Sequence, residues 1–232
     1  LDHLFGMAWT GQHGVGDVMG DVSYSVLSGP SHAEEVIQGL PTAVVVASLD
    51  HEVAERWQAI FSRSTFRVYT SNDVVGVEIG GAVKNVIAIA AGIAKAIALG
   101  DNTLAALVSR GLAEIMRLGA KMGANPLTLA GLAGVGDLVV TCFSDHSRNL
   151  RLGLAVGKGK SMAEALGELG QVAEGAYTVK ALKEMGRKVS EELPIVDAVY
   201  DILYNGIAPE EALNALLLRD PKPELPPAMQ WM

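Results

Sequence analysis

The stretch "EIGGAVKNVIAIAAGIAKAIALGDNT", residues 78–103, decides the fold. It is built almost wholly of glycine, alanine, valine and isoleucine, and reads as the body of a long helix over 74–98. One lysine, Lys84, stands inside the run with Asn85 beside it. On a helix, Gly80, Gly81, Ala88, Ala91 and Lys95 share the face of Lys84, while Val83, Val86, Ile87, Ala90, Ile93 and Ile97 lie opposite. The large side chains then face a core, and the lysine lies on a smooth strip of small residues. Such a strip admits a close ligand or a close backbone. Two readings stand side by side: a partly desolvated lysine placed for chemistry, or a helix–helix contact with Lys84 reaching out at its rim.

Outward from this helix the chain divides near residue 75. After it, helices are expected near 102–122, 126–132, 147–156, 161–167, 176–187, 194–204 and 208–217. Asp101, Ser161 and Pro209 mark starts; Gly100, Gly123 and Gly206 mark ends. Before it, 22–31, 42–50 and 66–71 read as strands ended by turn residues, with helices over 31–40 and 50–63 between them. Ser31 and Glu34 have capping-box spacing, and Asp50 is placed to cap the second helix. The strand–helix alternation is that of an α/β layer. The run "VVVAS" is apolar at successive positions, as in a parallel strand covered on both faces. Three strands make a poor doubly wound sheet, so residues 1–75 are expected to be the end of a larger α/β domain. A helical domain follows over 76–220, and the proline-rich 221–232 reads as a flexible tail.

Bulk properties narrow the function. The formal net charge of −8 argues against nucleic acid as a partner. The uncharged run Asn85–Ala94 is too short to span a bilayer, so no membrane span is expected. The single cysteine, Cys142, excludes an internal disulfide framework and fits a cytoplasmic protein. The stretch "LDHLFGMAWTGQHG" lacks the pattern of a signal peptide. The glycine-rich "GQHGVGDVMG" (11–20) lacks the Gly-x-Gly-x-x-Gly spacing of a dinucleotide loop. His3, His13, His32, His51 and His146 show no metal-ligand spacing and are assigned to surface or polar-network roles.

A second dense stretch, "GLAGVGDLVVTCFSDHSRNLRLG" (131–153), holds Asp137 after glycines and then Ser147, Arg148 and Asn149 together. Exposed N–H groups at a helix start, a guanidinium and an amide make an anion site. An ordinary helix capped by Ser147 accounts for the same residues.

The blocks "LSGPSHAEEV", "GVEIGGAVKNVIAIAAG", "LGDNT…SRGLAEIMRLG", "GLAGVGDLVVTCFSDHSRN" and "VAEGAYT" resemble, in this order, the signature blocks of bacterial-type NAD(P)-dependent glycerol-3-phosphate dehydrogenase. The resemblance runs from about Val26 to Arg219. It implies a Rossmann-like α/β remnant followed by an all-α substrate and dimerisation domain. It implies reversible reduction of dihydroxyacetone phosphate to sn-glycerol 3-phosphate, a glycerophospholipid precursor, with NAD or NADP as cofactor. It puts the proton acceptor on Lys84. Substrate contacts fall on Gly29, Ser31, Lys84, Asn85, Asp137, Thr141, Ser147, Arg148 and Asn149. Cofactor contacts fall on Ala33, Arg148, Val172 and Glu174. A homodimer is the expected assembly.

The departures are the missing strand–Gly-x-Gly-x-x-Gly turn of the family's first half and the missing second lysine of that half. Residues 1–20 match no family block, and Leu104 stands where a basic residue is usual. The expectation is therefore a truncated chain that binds nicotinamide nucleotides weakly or not at all. Two alternatives are a non-catalytic helical dimerisation module and another β-hydroxyacid dehydrogenase-like oxidoreductase.

Overall fold

The structure, a computed structural model, describes residues 22–224. The glycine-rich stretch at 11–20, His3, His13 and residues 225–232 of the expected tail lie outside them. The first layer is a three-stranded sheet in the order β1 (Val26–Ser28), β2 (Thr42–Ala47), β3 (Phe66–Ser71). Helices α1 (Ala33–Val36) and α2 (His51–Phe61) connect the strands. β2 and β3 are parallel, with Thr42 opposite Phe66 and Ala47 opposite Ser71. The wholly parallel layer expected from the sequence does not form, because β1 runs antiparallel to β2, Val26 facing Ala47. β1 is also far shorter than 22–31, and the Ser48 hydroxyl donates to the Tyr24 carbonyl at 2.7 Å just before it. Val44 and Val46 point to one side with Ala54 and Val68; Val45 and Ala47 point to the other with Val74, Val77 and Ala133. β2 is covered on both faces, as its unbroken apolar run requires.

Asp50 caps α2 by accepting from the Glu52 N–H at 2.9 Å. The Ser31–Glu34 capping box is absent: Ser31 lies one residue before the N-cap His32, and its hydroxyl turns back to the Gly29 carbonyl at 3.0 Å.

The centre of the molecule is α3 (Val74–Ala96), begun by Asp73, whose carboxylate accepts from the Gly76 N–H at 2.9 Å. Apolar side chains surround it almost entirely, so it is buried on nearly every side. This stretch and 126–143 are long and apolar enough to cross a membrane. The first is the core helix of the fold, and the second is broken into separate turns. Around α3 pack α4 (Gly100–Lys121), α5 (Pro126–Leu129), a π-helical turn (Leu132–Gly136), α6 (Asp137–Phe143) and α7 (Arg148–Gly157). Then follow α8 (Met162–Leu169), α9 (Gly175–Lys188), α10 (Pro194–Asn205) and α11 (Pro209–Leu217). Ser161 and Glu164 form a full capping box on α8, and Gly206 ends α10 in the left-handed conformation. Gly100 opens α4 rather than closing α3, which ends where Ala98 turns left-handed at φ 56°.

α3 and α7 cross in close backbone contact. A Cβ on Gly92 would lie 2.2 Å from the Leu150 carbonyl oxygen, and one on Gly153 would lie 2.1 Å from that of Ile89. Only glycine lets the two backbones meet at this distance. Ile87, Ile89, Leu150 and Leu152 are fully buried around it. Each contributes about 1.5–3 kcal/mol by leaving water.

Candidate functional site

The α3–α7 crossing sets the start of α7 beside the middle of α3, and so beside Lys84 and Asn85. Ser147 is the N-cap of α7 and accepts from the Leu150 N–H at 3.2 Å. The Arg148 and Asn149 N–H groups have no acceptor among the described residues. They face outward from the positive end of the helix dipole, an arrangement that favours an anion. No hydrogen bond or ion pair holds the Arg148 guanidinium among the described residues, and the side chain is exposed.

Opposite stands Asp137, the first residue of α6 and almost wholly buried. Its Oδ2 accepts from the Lys84 ammonium, with the Lys84 side chain 19% exposed. The same oxygen accepts from Ser28 Oγ at 3.1 Å. Thr141 donates to the Asp137 backbone carbonyl at 2.6 Å, one turn back on α6, and lies 3.5 Å from its Oδ1. Asp137 therefore holds the ammonium in place, and β1 steadies the acid.

A polar chain joins three helices beneath. Asn85 donates to Glu174 at 3.5 Å, Asn149 donates to Asn85 Oδ1 at 2.9 Å, and the Gly175 N–H donates to Asn149 Oδ1 at 2.9 Å. Asn85 and Asn149 are buried. Their amides satisfy each other, which fixes α3, α7 and α9 in register.

These side chains border one open pocket of about 210 Å³. The structure brings Gly29, Ser31, Lys84, Asn85, Asp137, Thr141, Ser147, Arg148, Asn149 and Glu174 to its walls. Ala33 and Val172 are not in the lining; both are exposed nearby in sequence, after Ser31 and before Glu174.

The small-residue strip serves mainly the protein itself. A Cβ on Gly80 would lie 2.3 Å from the Ala133 carbonyl oxygen, and Ala88 and Ala91 are fully buried. Only Gly81 of that strip reaches the pocket. Lys95 lies over the Phe143 ring at 5.3 Å, away from the site. The packing reading holds for the strip, and the polar pocket holds Lys84.

Sequence reasoning left His32 and His146 out of the site, yet both line the pocket, their rings 5.8 Å apart. Their position next to Ser31 and Ser147 was the available signal. No group of three or more acidic, histidine or cysteine side chains suited to a metal occurs among the described residues.

Comparison with known proteins gives the family. The family model for the NAD-dependent glycerol-3-phosphate dehydrogenase C-terminus matches residues 73–214, and that for the N-terminus matches residues 12–54. The second match corrects, for residues 12–20, the expectation that residues 1–20 resemble nothing in the family. The chain is 60% identical over 203 residues to glycerol-3-phosphate dehydrogenase (NAD(P)+) of Halothermothrix orenii, covering 87% of this chain and 60% of that protein. It is 52% identical over 212 residues to that of Geobacillus kaustophilus, covering 91% and 61%. The crystal structure of glycerol-3-phosphate dehydrogenase from Coxiella burnetii superposes with a TM-score of 0.87 at 42% identity, covering 90% of this chain and 64% of that one. The chain thus spans about 60% of the length of the curated relatives it matches. Since the C-terminal family model alone covers more than half of the 232 residues, the chain belongs to the NAD-dependent glycerol-3-phosphate dehydrogenase family.

Proposed function

We propose that this site takes dihydroxyacetone phosphate and sn-glycerol 3-phosphate and interconverts them with NAD or NADP. The observation that carries the reading is the Lys84–Asp137 pair set across one pocket from the N-terminus of α7 and Arg148. A pocket of about 210 Å³ suits a three-carbon metabolite, being smaller than the roughly 300–1,000 Å³ usual for drug-sized ligands.

The residues present fit the nicotinamide end of such a cofactor. The polar wall formed by Lys84, Asn85 and Glu174 would face the ring's amide, while Gly81 lets β1 approach α3, since a Cβ there would lie 3.2 Å from Ser28 Oγ. No Gly-x-Gly-x-x-Gly turn for the dinucleotide phosphates occurs among the described residues. Ala33, Arg148, Val172 and Glu174 are the residues proposed to touch the cofactor. When bound, the reduced cofactor supplies the hydride to the carbonyl carbon.

The chain's own groups do the rest. The Lys84 ammonium donates a hydrogen bond to the substrate carbonyl oxygen, stabilises the charge that grows there and gives it the proton. In the oxidising direction neutral Lys84 takes that proton back. Asp137 holds the ammonium on target. The free N–H groups at the start of α7, Arg148 and Ser147 bind the phosphate. Asn85 and Asn149 keep these parts in register, and Thr141 steadies Asp137. Gly29 and Ser31 close the wall at the end of β1.

We assign residues 1–75 to the end of a dinucleotide-binding domain and residues 76–220 to a helical substrate domain. We place the protein in the cytoplasm, where its one buried free thiol, Cys142, needs no partner. A homodimer through the helical part is the expected assembly.

The test compares dihydroxyacetone phosphate with dihydroxyacetone and with phosphate-free hydroxy acids, following reduced nicotinamide absorbance. Turnover confined to the phosphate ester supports the reading. Preference for a phosphate-free hydroxy acid favours the broader β-hydroxyacid dehydrogenase class, and binding of none points to the helical module without catalysis.

A further inference from the structure

Ser28, the last residue of β1, is half-buried and lies outside the lining of the pocket. Its hydroxyl donates to Asp137 Oδ2 at 3.1 Å, and the Lys84 ammonium donates to the same oxygen. One carboxylate oxygen therefore receives one donor from the sheet layer and one from the helical layer. Glycine at 81 leaves room for this bond. A Cβ there would lie 3.2 Å from Ser28 Oγ and crowd the hydroxyl. Gly81 stands one turn before Lys84 on α3, so β1, α3 and α6 meet at this carboxylate.

A carboxylate offers two oxygens and about four lone-pair directions. An ammonium facing an otherwise free carboxylate can swing among them. Thr141 Oγ1 lies 3.5 Å from Oδ1, too far to hold that oxygen firmly. Besides Lys84, Ser28 is then the one side chain at good hydrogen-bond distance from the carboxylate among the described residues. Its hydroxyl takes one direction on Oδ2 and resists rotation of the group. Without it, the ammonium has Oδ1 and a second direction on Oδ2 open to it.

We infer that Ser28 is a positioning residue for the proton transfer, its hydroxyl fixing the Asp137 carboxylate, which in turn aims the Lys84 ammonium at the substrate oxygen. This role rests on the dehydrogenase reading above and makes the last residue of β1 part of it. Misplacing a reacting group by about 1 Å can cost on the order of a hundredfold in rate. The direction of the ammonium therefore matters beyond the strength of its tether.

The test compares the wild-type chain with Ser28→Ala, which removes the donor, and Ser28→Thr, which keeps it. Two readouts are taken: turnover of dihydroxyacetone phosphate, and the NMR signal of the Asp137 carboxyl carbon, assigned by its loss in Asp137→Asn. Ser28→Ala is expected to move the carboxyl signal and to lower kcat about tenfold, while KM changes less than about twofold. Ser28→Thr should return both towards wild type, which a side chain that merely fills space would not do. A folded Ser28→Ala chain with wild-type kcat, or with an unmoved carboxyl signal, overturns the role and leaves the dehydrogenase reading standing. A Ser28→Thr chain no better than Ser28→Ala overturns it too. A carboxyl signal that moves and returns in a chain without turnover overturns the dehydrogenase reading and leaves Ser28 a structural anchor only.

Discussion

Asp137 is the ion partner of Lys84, although 53 residues separate them in the chain. The acid is 4% exposed and the lysine 19%, so the pair lies at the edge between core and pocket. Removing one partner of such a pair leaves the other without compensation. Asp137→Asn keeps the shape and removes the charge. It is expected to cost about 3 kcal/mol of unfolding free energy, measured by urea denaturation, and to lower kcat more than it raises KM. Unchanged stability would show that the two groups are independent.

The α3–α7 crossing is expected to tolerate no side chain. Gly92→Ala and Gly153→Ala each drive a methyl into a carbonyl oxygen of the other helix. Each should cost about 2–3 kcal/mol or more, read as a fall in the denaturation midpoint. A much smaller loss would mean that the helices separate at little cost. Gly167, which has nothing within 4 Å of a built Cβ, is the control, and Gly167→Ala should leave the midpoint unchanged or raised.

Glu114 carries a pH dependence of stability. It is buried on α4 and accepts from the Ile195 N–H at 2.8 Å and the Val196 N–H at 3.4 Å, at the start of α10. Burial pushes its carboxyl up to about 7, against the opposing pull of those two N–H groups and of Arg117. The folded pKa lies above the unfolded value of 4.5, so the unfolded chain gives up this proton first as pH rises. The contribution is fully present below 4.5, is lost as pH rises towards 7 and is constant above it, on the order of 3 kcal/mol in all. Glu114→Gln should flatten this part of the stability profile between pH 4.5 and 7. An unchanged slope in the variant would place the titration elsewhere.

Cys142 is fully buried on α6, and burial pushes its thiol up to about 12. The thiolate is the reactive form, so the native protein should resist thiol reagents at neutral pH and react once denaturant opens the core. Rapid labelling of the native chain, followed by mass spectrometry, would contradict the packing of α6 against α3.

Much of the helical part is legible in the sequence because its ends are punctuated chemically. Ser161 with Glu164, Pro209 and Gly206 act where their types predict. Strand direction is not legible, since nothing local to Val26–Ser28 says that it runs against β2. The π-helical turn and α6 also escape reading. "DLVVTCF" is rich in β-branched residues and follows glycines, and tertiary packing overrides that propensity. Gly134 is decisive there, because a Cβ would fall 1.7 Å from the Leu129 carbonyl oxygen, a contact between residues that periodicity does not pair. The residues that line the pocket, Lys84, Asp137 and Ser147 among them, are legible as motif blocks. That Asn149 and Asn85 are spent partly on holding helices together, and that the His32 and His146 rings lie 5.8 Å apart, are facts of three dimensions.

The most direct measurement is reduction of dihydroxyacetone phosphate at saturating reduced cofactor by the wild-type chain and by Lys84→Ala. Loss of the proton donor is expected to lower turnover by about 10²–10⁴-fold, with the variant still folded by circular dichroism. A folded Lys84→Ala protein that turns over at the wild-type rate, or a wild-type chain indifferent to dihydroxyacetone phosphate, would contradict the role given to the Lys84–Asp137 pair.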